Sequence, residues 1–385
     1  MEKPAIYFDY AASTPLDPEV FEAMKPYLLG QGANPSSTHQ HGRRLRTAVE
    51  QARRKIAQLL NAQAYEIVFT SGGTEADNTA LKGMVHAMGI QHIISSPIEH
   101  HAVTHTIKTL EKAGHIQAHW LKVDSQGQID REALRDLLKQ YPGAIVSLMH
   151  GNNELGNIYE LQEIAEESKE YGAYIHSDTV QTMGNVTYDL QVLPIDFLAA
   201  SAHKFYGPKG MGFLFVRKGT SVSALIDGGS QEQALRAGTE NVASIVGMAH
   251  ALEKRLQNLS EKQASLQKLK SRMKDLLLEN FPGVRFNGYQ EQEKSLPKIL
   301  NVTFPGEEDR MLPFHLDIKG ISVSGGSACS SGARSGSFVL RELGHKEHEA
   351  LNSVRFSFGL QSTEEEIDYT VDTLKEILDK TLQKA

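Results

Sequence analysis

The feature that most constrains the fold is a repeated alternation of short apolar segments with longer helical patterns over the first two thirds of the chain. The apolar segment EIVFT (66–70) is followed by a glycine-rich turn and a helical pattern. The helical pattern 161–172 ends at a glycine and leads into the apolar segment 173–178. Further apolar segments of this kind are 92–96, 144–150, 196–202 and 212–218. Alternation of strands with helices predicts an α/β domain with a mostly parallel sheet.

The remaining third of the chain has a different pattern. Residues 251–279 are rich in Leu, Lys, Glu and Gln, and the apolar ones recur at steps of three to four, which predicts a long amphipathic helix. Such a helix packs between domains, and a helix on a membrane surface is the alternative. A strand candidate (299–304) and a helical pattern (363–384) follow. We predict a large α/β domain and a smaller α+β domain, formed by residues 16–254 and by residues 1–15 with 255–385, respectively.

Composition and charge exclude several classes of protein. The 385 residues include 40 Lys+Arg and 47 Asp+Glu, so the formal net charge is −7, unlike that of a general nucleic-acid-binding protein. The single cysteine, Cys329, excludes an internal disulfide and a metal cage built from cysteines. The start MEKPAIYFDYAAS carries Glu2 and Asp9 and has no long apolar region, so we expect no secretory signal there, and no apolar stretch of ~18 residues is present to span a bilayer. We expect a soluble cytoplasmic protein with no membrane or direct nucleic-acid partner.

Chemically reactive side chains follow the predicted strands, and in open α/β sheets ligands bind beyond the carboxyl ends of the strands. Strand 66–70 leads into Ser-Gly-Gly-Thr-Glu and a helix, whose first amides are suited to hold a phosphate. Later strands lead to His100, Asp178 and Lys204. Taken singly, the turn is also explained as a helix cap, His100 as a loop histidine, Asp178 as an N-cap and Lys204 as a solvated lysine. Together they match what pyridoxal phosphate requires: a Schiff-base lysine, a carboxylate for the pyridine nitrogen and a phosphate cradle.

Several motifs resemble one known family. SAHKFYGPKG (201–210) resembles the lysine signature of class V, fold-type I pyridoxal-phosphate enzymes, and GGSACSSG (325–332) narrows the resemblance to the NifS/IscS-type cysteine desulfurases. The other motifs that resemble this family are YFDYAASTP (7–15), TSGGTEADN (70–78), IEHHAV (98–103), HGNNELG (150–156), HSDTVQTMG (176–184), RAGTEN (236–241) and VRFSFG (354–359). The resemblance covers nearly the whole chain in order and implies the fold-type I transferase architecture.

The resemblance implies a role for each matching residue around the cofactor ring. Lys204 would form the Schiff base, Asp178 would pair with the pyridine N–H, and Gln181 would donate to the phenolic oxygen. His100 would stack on the ring and move protons. The motif IEHHAV departs from the usual single histidine, so His101 is a competing assignment, although the spacing favours His100.

The resemblance also implies how the phosphate and the substrate are bound. The residues expected at the phosphate are Gly73, Thr74, Ser201, His203 and Thr239. Thr239 would reach the phosphate of the neighbouring subunit, which implies a homodimer with shared active sites. The substrate carboxylate would be bound by Asn153 and Arg355, with help from Asn34.

Cys329 distinguishes the expected reaction from others on the same scaffold. Free cysteines are usually buried and inert, but the residues around Cys329 are mostly Ser, Gly and Ala, which favour an exposed loop, and Arg334 would favour a reactive thiolate. The resemblance implies that Cys329 attacks the sulfur of L-cysteine, becomes a persulfide and releases L-alanine. The sulfur would then pass to an acceptor protein for iron–sulfur cluster assembly or for thiolation of tRNA or cofactors.

Other interpretations remain open at this stage. Selenocysteine lyase and class V aminotransferase activities use the same scaffold, and fold does not fix reaction. A protein of another class, an inactive scaffold for sulfur assembly, would be expected to lack the lysine or the cysteine. His39 with His41, and His345 with His348, form pairs without the further ligands of a metal site, so we predict no metal. The sequence does not identify the sulfur acceptor.

Overall fold

The computed structural model describes residues 5–30, 32–306, 311–326 and 336–382, with side chains up to residue 378. The strands are β1 (Ile6–Tyr7), β2 (Ile67–Thr70), β3 (His92–Ser95), β4 (Gln117–Trp120), β5 (Ile145–Ser147), β6 (Tyr174–Asp178), β7 (Phe197–Ser201), β8 (Gly212–Val216), β9 (Arg285–Asn287), β10 (Ile299–Thr303), β11 (Ile321–Ser322) and β12 (Ser353–Ser357). The helices are α1 (Pro18–Leu28), α2 (Gln40–Leu59), α3 (Gly73–Met88), α4 (His101–Lys112), α5 (Arg131–Gln140), α6 (Leu161–Lys169), α7 (Val242–Leu256), α8 (Leu259–Asn280), α9 (Leu312–Ile318), α10 (Phe338–Glu342), α11 (Glu347–Leu351) and α12 (Glu364–Leu382).

Among the described residues, seven strands form a central sheet in the order β2-β8-β7-β6-β5-β3-β4. Strands β7, β6, β5, β3 and β4 pair in parallel, whereas β8 is antiparallel to both β2 and β7. Every residue of β2, β5, β7 and β8 is buried, as expected for strands covered by helices on both faces. The predicted α/β class with a mostly parallel sheet is confirmed.

The edge strand β4 is not predicted by the sequence pattern. Its residues Gln-Ala-His-Trp are exposed or half-buried, so they do not form the apolar segment that identified the other strands. β4 pairs in parallel with β3 alone, which explains why its side chains need not be apolar.

The predicted long helix from residue 251 onward is wrong in its extent. The structure has two helices there, α7 and α8, separated at Gln257 and Asn258. Asn258 has φ 51° and ψ 39°, a left-handed conformation that asparagine tolerates better than most residues. The apolar spacing continues across the break, so periodicity alone gave no signal for it.

A second hydrophobic core lies apart from the central sheet. Strands β12, β10 and β9 form an antiparallel sheet, and α8 packs against α12 beside it. The N-terminal strand β1 pairs in parallel with β11, which brings Ile6 and Phe8 into the same core as Phe356. The domain boundaries after residues 15 and 254 stay a prediction.

No described helix combines the length and the apolar character that crossing a bilayer requires.

Candidate active site

A cavity of about 480 Å³ lies at the carboxyl ends of β6 and β7, where α3 and α4 begin. This is the edge of the sheet at which open α/β folds bind their ligands. The predicted site residues that line it are Gly73, Thr74, His100, Asn153, Asp178, Gln181, Ser201, His203, Lys204 and Arg355. The fold therefore gathers residues from six separate motifs into one space.

Lys204 lies one short 3-10 turn (Ala202–Lys204) beyond the end of β7. Its Nζ donates to the backbone carbonyl oxygens of Ala11, at 2.6 Å, and of Ala12, at 2.9 Å. The amine is thus aimed at the cavity wall that the N-terminal segment supplies.

Asp178 is the last residue of β6 and is only 7% exposed. Its Oδ1 accepts the backbone N–H of Val180 at 2.9 Å, which fixes the carboxyl at the start of the following turn. Burial raises the pKa of Asp178, while the nearby His100 and Lys204 lower it. A cation placed against this carboxyl would favour its ionised form.

Gln181 is held close to the same N-terminal segment. Its Nε2 donates to the carbonyl oxygen of Ala11 at 2.9 Å. Its Oε1 is buried and has no hydrogen-bond partner within the part of the chain that the structure describes. An unpartnered buried oxygen in a cavity wall is an acceptor available to a ligand.

His100 and His101 are separated by the start of α4. His100 is the N-cap residue, and its Nδ1 accepts the backbone N–H of Ala102 at 3.2 Å, so the neutral ring carries its proton on Nε2. His101 instead stacks on Phe338 and His105, with ring centroids 4.4 and 4.6 Å away, outside the cavity. The geometry therefore favours His100 over His101 as the histidine of the site.

The turn before α3 forms a cradle of small residues at a helix N-terminus. A Cβ on Gly73 would lie 2.5 Å from Cγ2 of Val180, so any larger residue there would require Val180 to move. Thr74, Ser201 and His203 line the same cavity. Burial, with the charge of Lys204 adding to it, lowers the pKa of His203 to about 4, which leaves the ring neutral near pH 7. The helix dipole and these donors suit an anion.

Arg355 lies in β12 and is only 1% exposed. Its Nη1 donates to the carbonyl oxygen of Asn153 at 2.9 Å, and its Nη2 donates to Oδ1 of Asp9 at 2.7 Å. The guanidinium is therefore held in a fixed orientation at the cavity wall.

The N-terminal segment 9–13 was not assigned a role from the sequence. It bonds Arg355 through Asp9 and Lys204 through the carbonyl oxygens described above, and Oγ of Ser13 lies 3.2 Å from Nδ1 of His203. The motif YFDYAASTP gave the only signal, and it did not say which atoms make contact.

A buried pair behind Asp178 was also missed. Oδ1 of Asp77 lies 3.2 Å from Nε2 of His176, whose Nδ1 lies 2.8 Å from Oγ of Ser147. Asp77 lines the cavity and is 1% exposed. Burial raises the pKa of Asp77 well above its usual value, and the charges of Asp178 and Glu99 raise it further. The two-residue step between His176 and Asp178 on one strand face could have indicated that these groups lie together.

Two predicted residues lie elsewhere, and a third is not described by the structure. Asn34 is exposed and outside the cavity, and its Oδ1 accepts the backbone N–H of Ser36 in a local turn. Thr239 lines a neighbouring pocket of about 170 Å³, which shares Ser71 and Gly210 with the main cavity. Cys329 lies outside the described residues.

Comparisons with known proteins agree with this geometry. Residues 6–370 match the aminotransferase class-V family. The chain is 44% identical over 380 residues to the cysteine desulfurase IscS of Dictyoglomus turgidum, covering 98% of this chain and 95% of that one. It is 41% identical over 375 residues to the cysteine desulfurase IscS of Clostridium botulinum strain Hall, covering 97% and 94%.

Solved structures show the same likeness. A NifS-like protein superposes with a TM-score of 0.89 at 36% identity, covering 98% of this chain and 100% of the other. A NifS-like protein from Rickettsia africae superposes with a TM-score of 0.87 at 32% identity, covering 98% and 100%.

Proposed function

The chain belongs to the aminotransferase class-V family, and from that premise we propose that it is a cysteine desulfurase, which takes sulfur from L-cysteine and releases L-alanine. The observation that carries the proposal is that one cavity joins the amine of Lys204, the carboxyl of Asp178 and the guanidinium of Arg355. Relatives named as cysteine desulfurases match over nearly the full length and support this reaction.

We propose pyridoxal phosphate as the cofactor, because the residues of the cavity fit it. A lysine amine, a buried carboxyl and an anion cradle of small residues around Gly73 are the three features that this cofactor needs. When bound, it supplies an electron sink for negative charge that develops on the substrate Cα.

We assign the attachment of the cofactor to Lys204, its ring nitrogen to Asp178 and its ring face to His100. Its phosphate is assigned to Gly73, Thr74, Ser201 and His203. Donation from Gln181 to the phenolic oxygen requires its amide to turn over, since Nε2 is bonded to Ala11. We also propose a homodimer in which Thr239 of the partner subunit completes the phosphate site.

Arg355 and Asn153 are proposed to bind the carboxylate of L-cysteine. The guanidinium has five N–H groups, and the two described bonds leave others for a carboxylate. A charge-assisted, two-pronged contact of this kind fixes both the position and the orientation of an amino acid. The help expected from Asn34 remains a proposal, since this residue is outside the cavity of its own chain.

Lys204 is proposed to take the proton from the substrate Cα. The carbonyl oxygens of Ala11 and Ala12 lie within hydrogen-bond distance of Nζ and stabilise the ammonium form. The amine therefore has a place to hold the proton after the transfer. His100, with its proton on Nε2, is positioned as a second general acid or base.

Cys329 is proposed to complete the reaction. Its thiolate forms a bond to the substrate Sγ while the Sγ–Cβ bond breaks, and the electron pair of that bond goes to carbon, which takes up a proton. L-alanine leaves, and the extra sulfur remains on Cys329 as a persulfide. We propose that an acceptor protein then takes this sulfur for iron–sulfur cluster assembly or for thiolation.

The variant Cys329→Ser tests this function, with Ser331→Ala as a control in the same segment. We expect Cys329→Ser to abolish sulfide and L-alanine production from L-cysteine while the visible absorbance of the bound cofactor is retained. Undiminished sulfide release would contradict the desulfurase proposal, and transfer of the amino group to an oxoacid would indicate an aminotransferase instead.

A further inference from the structure

The guanidinium of Arg355 is already bonded to a carboxylate of its own chain. Its Nη2 donates to Oδ1 of Asp9 at 2.7 Å, and its Nη1 donates to the carbonyl oxygen of Asn153 at 2.9 Å. Its Nε is buried and has no hydrogen-bond partner among the residues that the structure describes. The two bonds fix the plane of the guanidinium and leave donors for a ligand.

Asp9 is itself held in place from the other side. Oγ of Ser324 donates to the same Oδ1 at 2.9 Å, and the backbone N–H of Arg355 donates to the carbonyl oxygen of Ser324 at 2.7 Å. The backbone of Asp9 also bridges in parallel to Ser357, two residues beyond Arg355. Asp9, Ser324 and Arg355 therefore form one rigid unit across three neighbouring chain segments.

A buried arginine needs a counter-charge, but a counter-charge in the same place as the ligand would compete with it. Asp9 supplies the counter-charge without occupying the ligand position, because it accepts from Nη2 on the side of β1 and does not line the cavity, whereas Arg355 does. We propose that Asp9 is a positioning residue that fixes the Arg355 guanidinium plane so that its remaining N–H groups meet the carboxylate of the amino-acid substrate. This inference rests on the proposed role of Arg355 in binding L-cysteine.

Two substitutions at Asp9 separate orientation from charge. Asp9→Ala removes the acceptor, so the guanidinium is free to turn, and we expect the affinity for an amino-acid carboxylate to fall about tenfold. Asp9→Asn keeps an oxygen that accepts from Arg355 and Ser324 but removes the negative charge. We expect this variant to bind the carboxylate at least as tightly as the wild type.

The experiment measures the binding of L-alanine and of L-alaninamide, which lacks the carboxylate, to the holoenzyme by calorimetry. The wild type and Asp9→Asn should prefer L-alanine, whereas Asp9→Ala should lose most of that preference without a matching change in L-alaninamide affinity. Asp17→Ala is the control, because Asp17 is also an N-terminal aspartate in an ion pair, with Lys254 at 2.9 Å, but lies outside the cavity.

The outcomes distinguish the two proposals. A wild type without preference for L-alanine overturns the role of Arg355 and this inference with it. If Asp9→Ala still prefers L-alanine as the wild type does, only the inference about Asp9 is overturned. The same holds if Asp9→Asn binds L-alanine as weakly as Asp9→Ala does. Ser324→Ala provides a milder variant with an intact charge, and it should weaken L-alanine binding less than Asp9→Ala does.

Discussion

The cavity has two walls that the chain builds in different ways. We call Gly73, His100, Asp178 and Lys204 the sheet wall, because each lies at the end of a strand of the central sheet, just beyond one, or at the start of the helix that follows it. We call segment 9–13 together with Arg355 the terminal wall. Its central contact, between Asp9 and Arg355, joins residues 346 positions apart in the sequence.

The walls also differ in how their charges are compensated. In the terminal wall, the buried guanidinium of Arg355 already has a carboxylate partner. In the sheet wall, burial raises the pKa of Asp178, and behind it burial raises the pKa values of Asp77 and Glu99 well above their usual range. A positive group on a bound ligand would therefore stabilise the ionised carboxyl of Asp178 in the sheet wall. In the terminal wall, the charge of Arg355 is already balanced by Asp9 of the same chain.

The largest expected effect comes from breaking the sheet wall with Lys204→Ala. Loss of both the cofactor attachment and the proton-accepting amine should lower kcat/KM by at least ~10³-fold. Borohydride reduction followed by mass spectrometry should add the cofactor to the wild type at Lys204 and add nothing to the variant. Lys218→Ala, an exposed lysine after β8, is the control. Activity above about one per cent of wild type would mean that another amine does this work.

A smaller effect is expected from breaking the terminal wall with Arg355→Gln. Loss of a charge-assisted contact to the substrate carboxylate should raise KM for L-cysteine about 100-fold, with a lesser change in kcat. Borohydride should still attach the cofactor at Lys204, since the sheet wall is intact.

Arg355→Lys sharpens the same comparison. A lysine restores the charge but not the planar fork, so we expect it to recover only part of the lost affinity. An unchanged KM in Arg355→Gln would contradict the division of roles between the two walls.

The sheet wall could be predicted from the sequence, and the terminal wall could not. Parallel strands place their carboxyl ends at one edge, so Asp178 and Lys204 could be brought together from the positions of β6 and β7 alone. Arg355 was found only through the family resemblance, because no local pattern around VRFSFG indicates that its side chain reaches Asn153 and Asp9. The edge strand β4 and the break at Asn258 were missed for the related reason that neither leaves a signal in apolar periodicity.

The smallest expected effect tests the charges behind the sheet wall with Asp77→Asn. The raised pKa means that folded Asp77 keeps its proton at pH values where the unfolded chain, with an ordinary pKa near ~3.9, has lost it. The folded state then binds more protons, so stability falls as the pH rises through this interval. The variant has no carboxyl to titrate at this position, so it removes that loss of stability.

Scanning calorimetry of the cofactor-free protein should show Asp77→Asn melting a few degrees above wild type at neutral pH, since ~1 kcal/mol corresponds to ~2–4 °C in a domain of this size. The difference should shrink as the pH falls below ~4, where the unfolded state is protonated as well. Asp17→Asn is the matched control, for which we expect the opposite change in stability. Burial raises the pKa of Asp17, but its hydrogen bonds, the one from Lys254 first among them, lower it, and the net result is a pKa below the usual value. That control should therefore lose stability at neutral pH. An Asp77→Asn variant that melts below wild type at neutral pH would show that Asp77 is ionised and paired with His176. The buried charge behind the sheet wall would then be balanced by a residue of the same chain, as the charge of Arg355 is in the terminal wall.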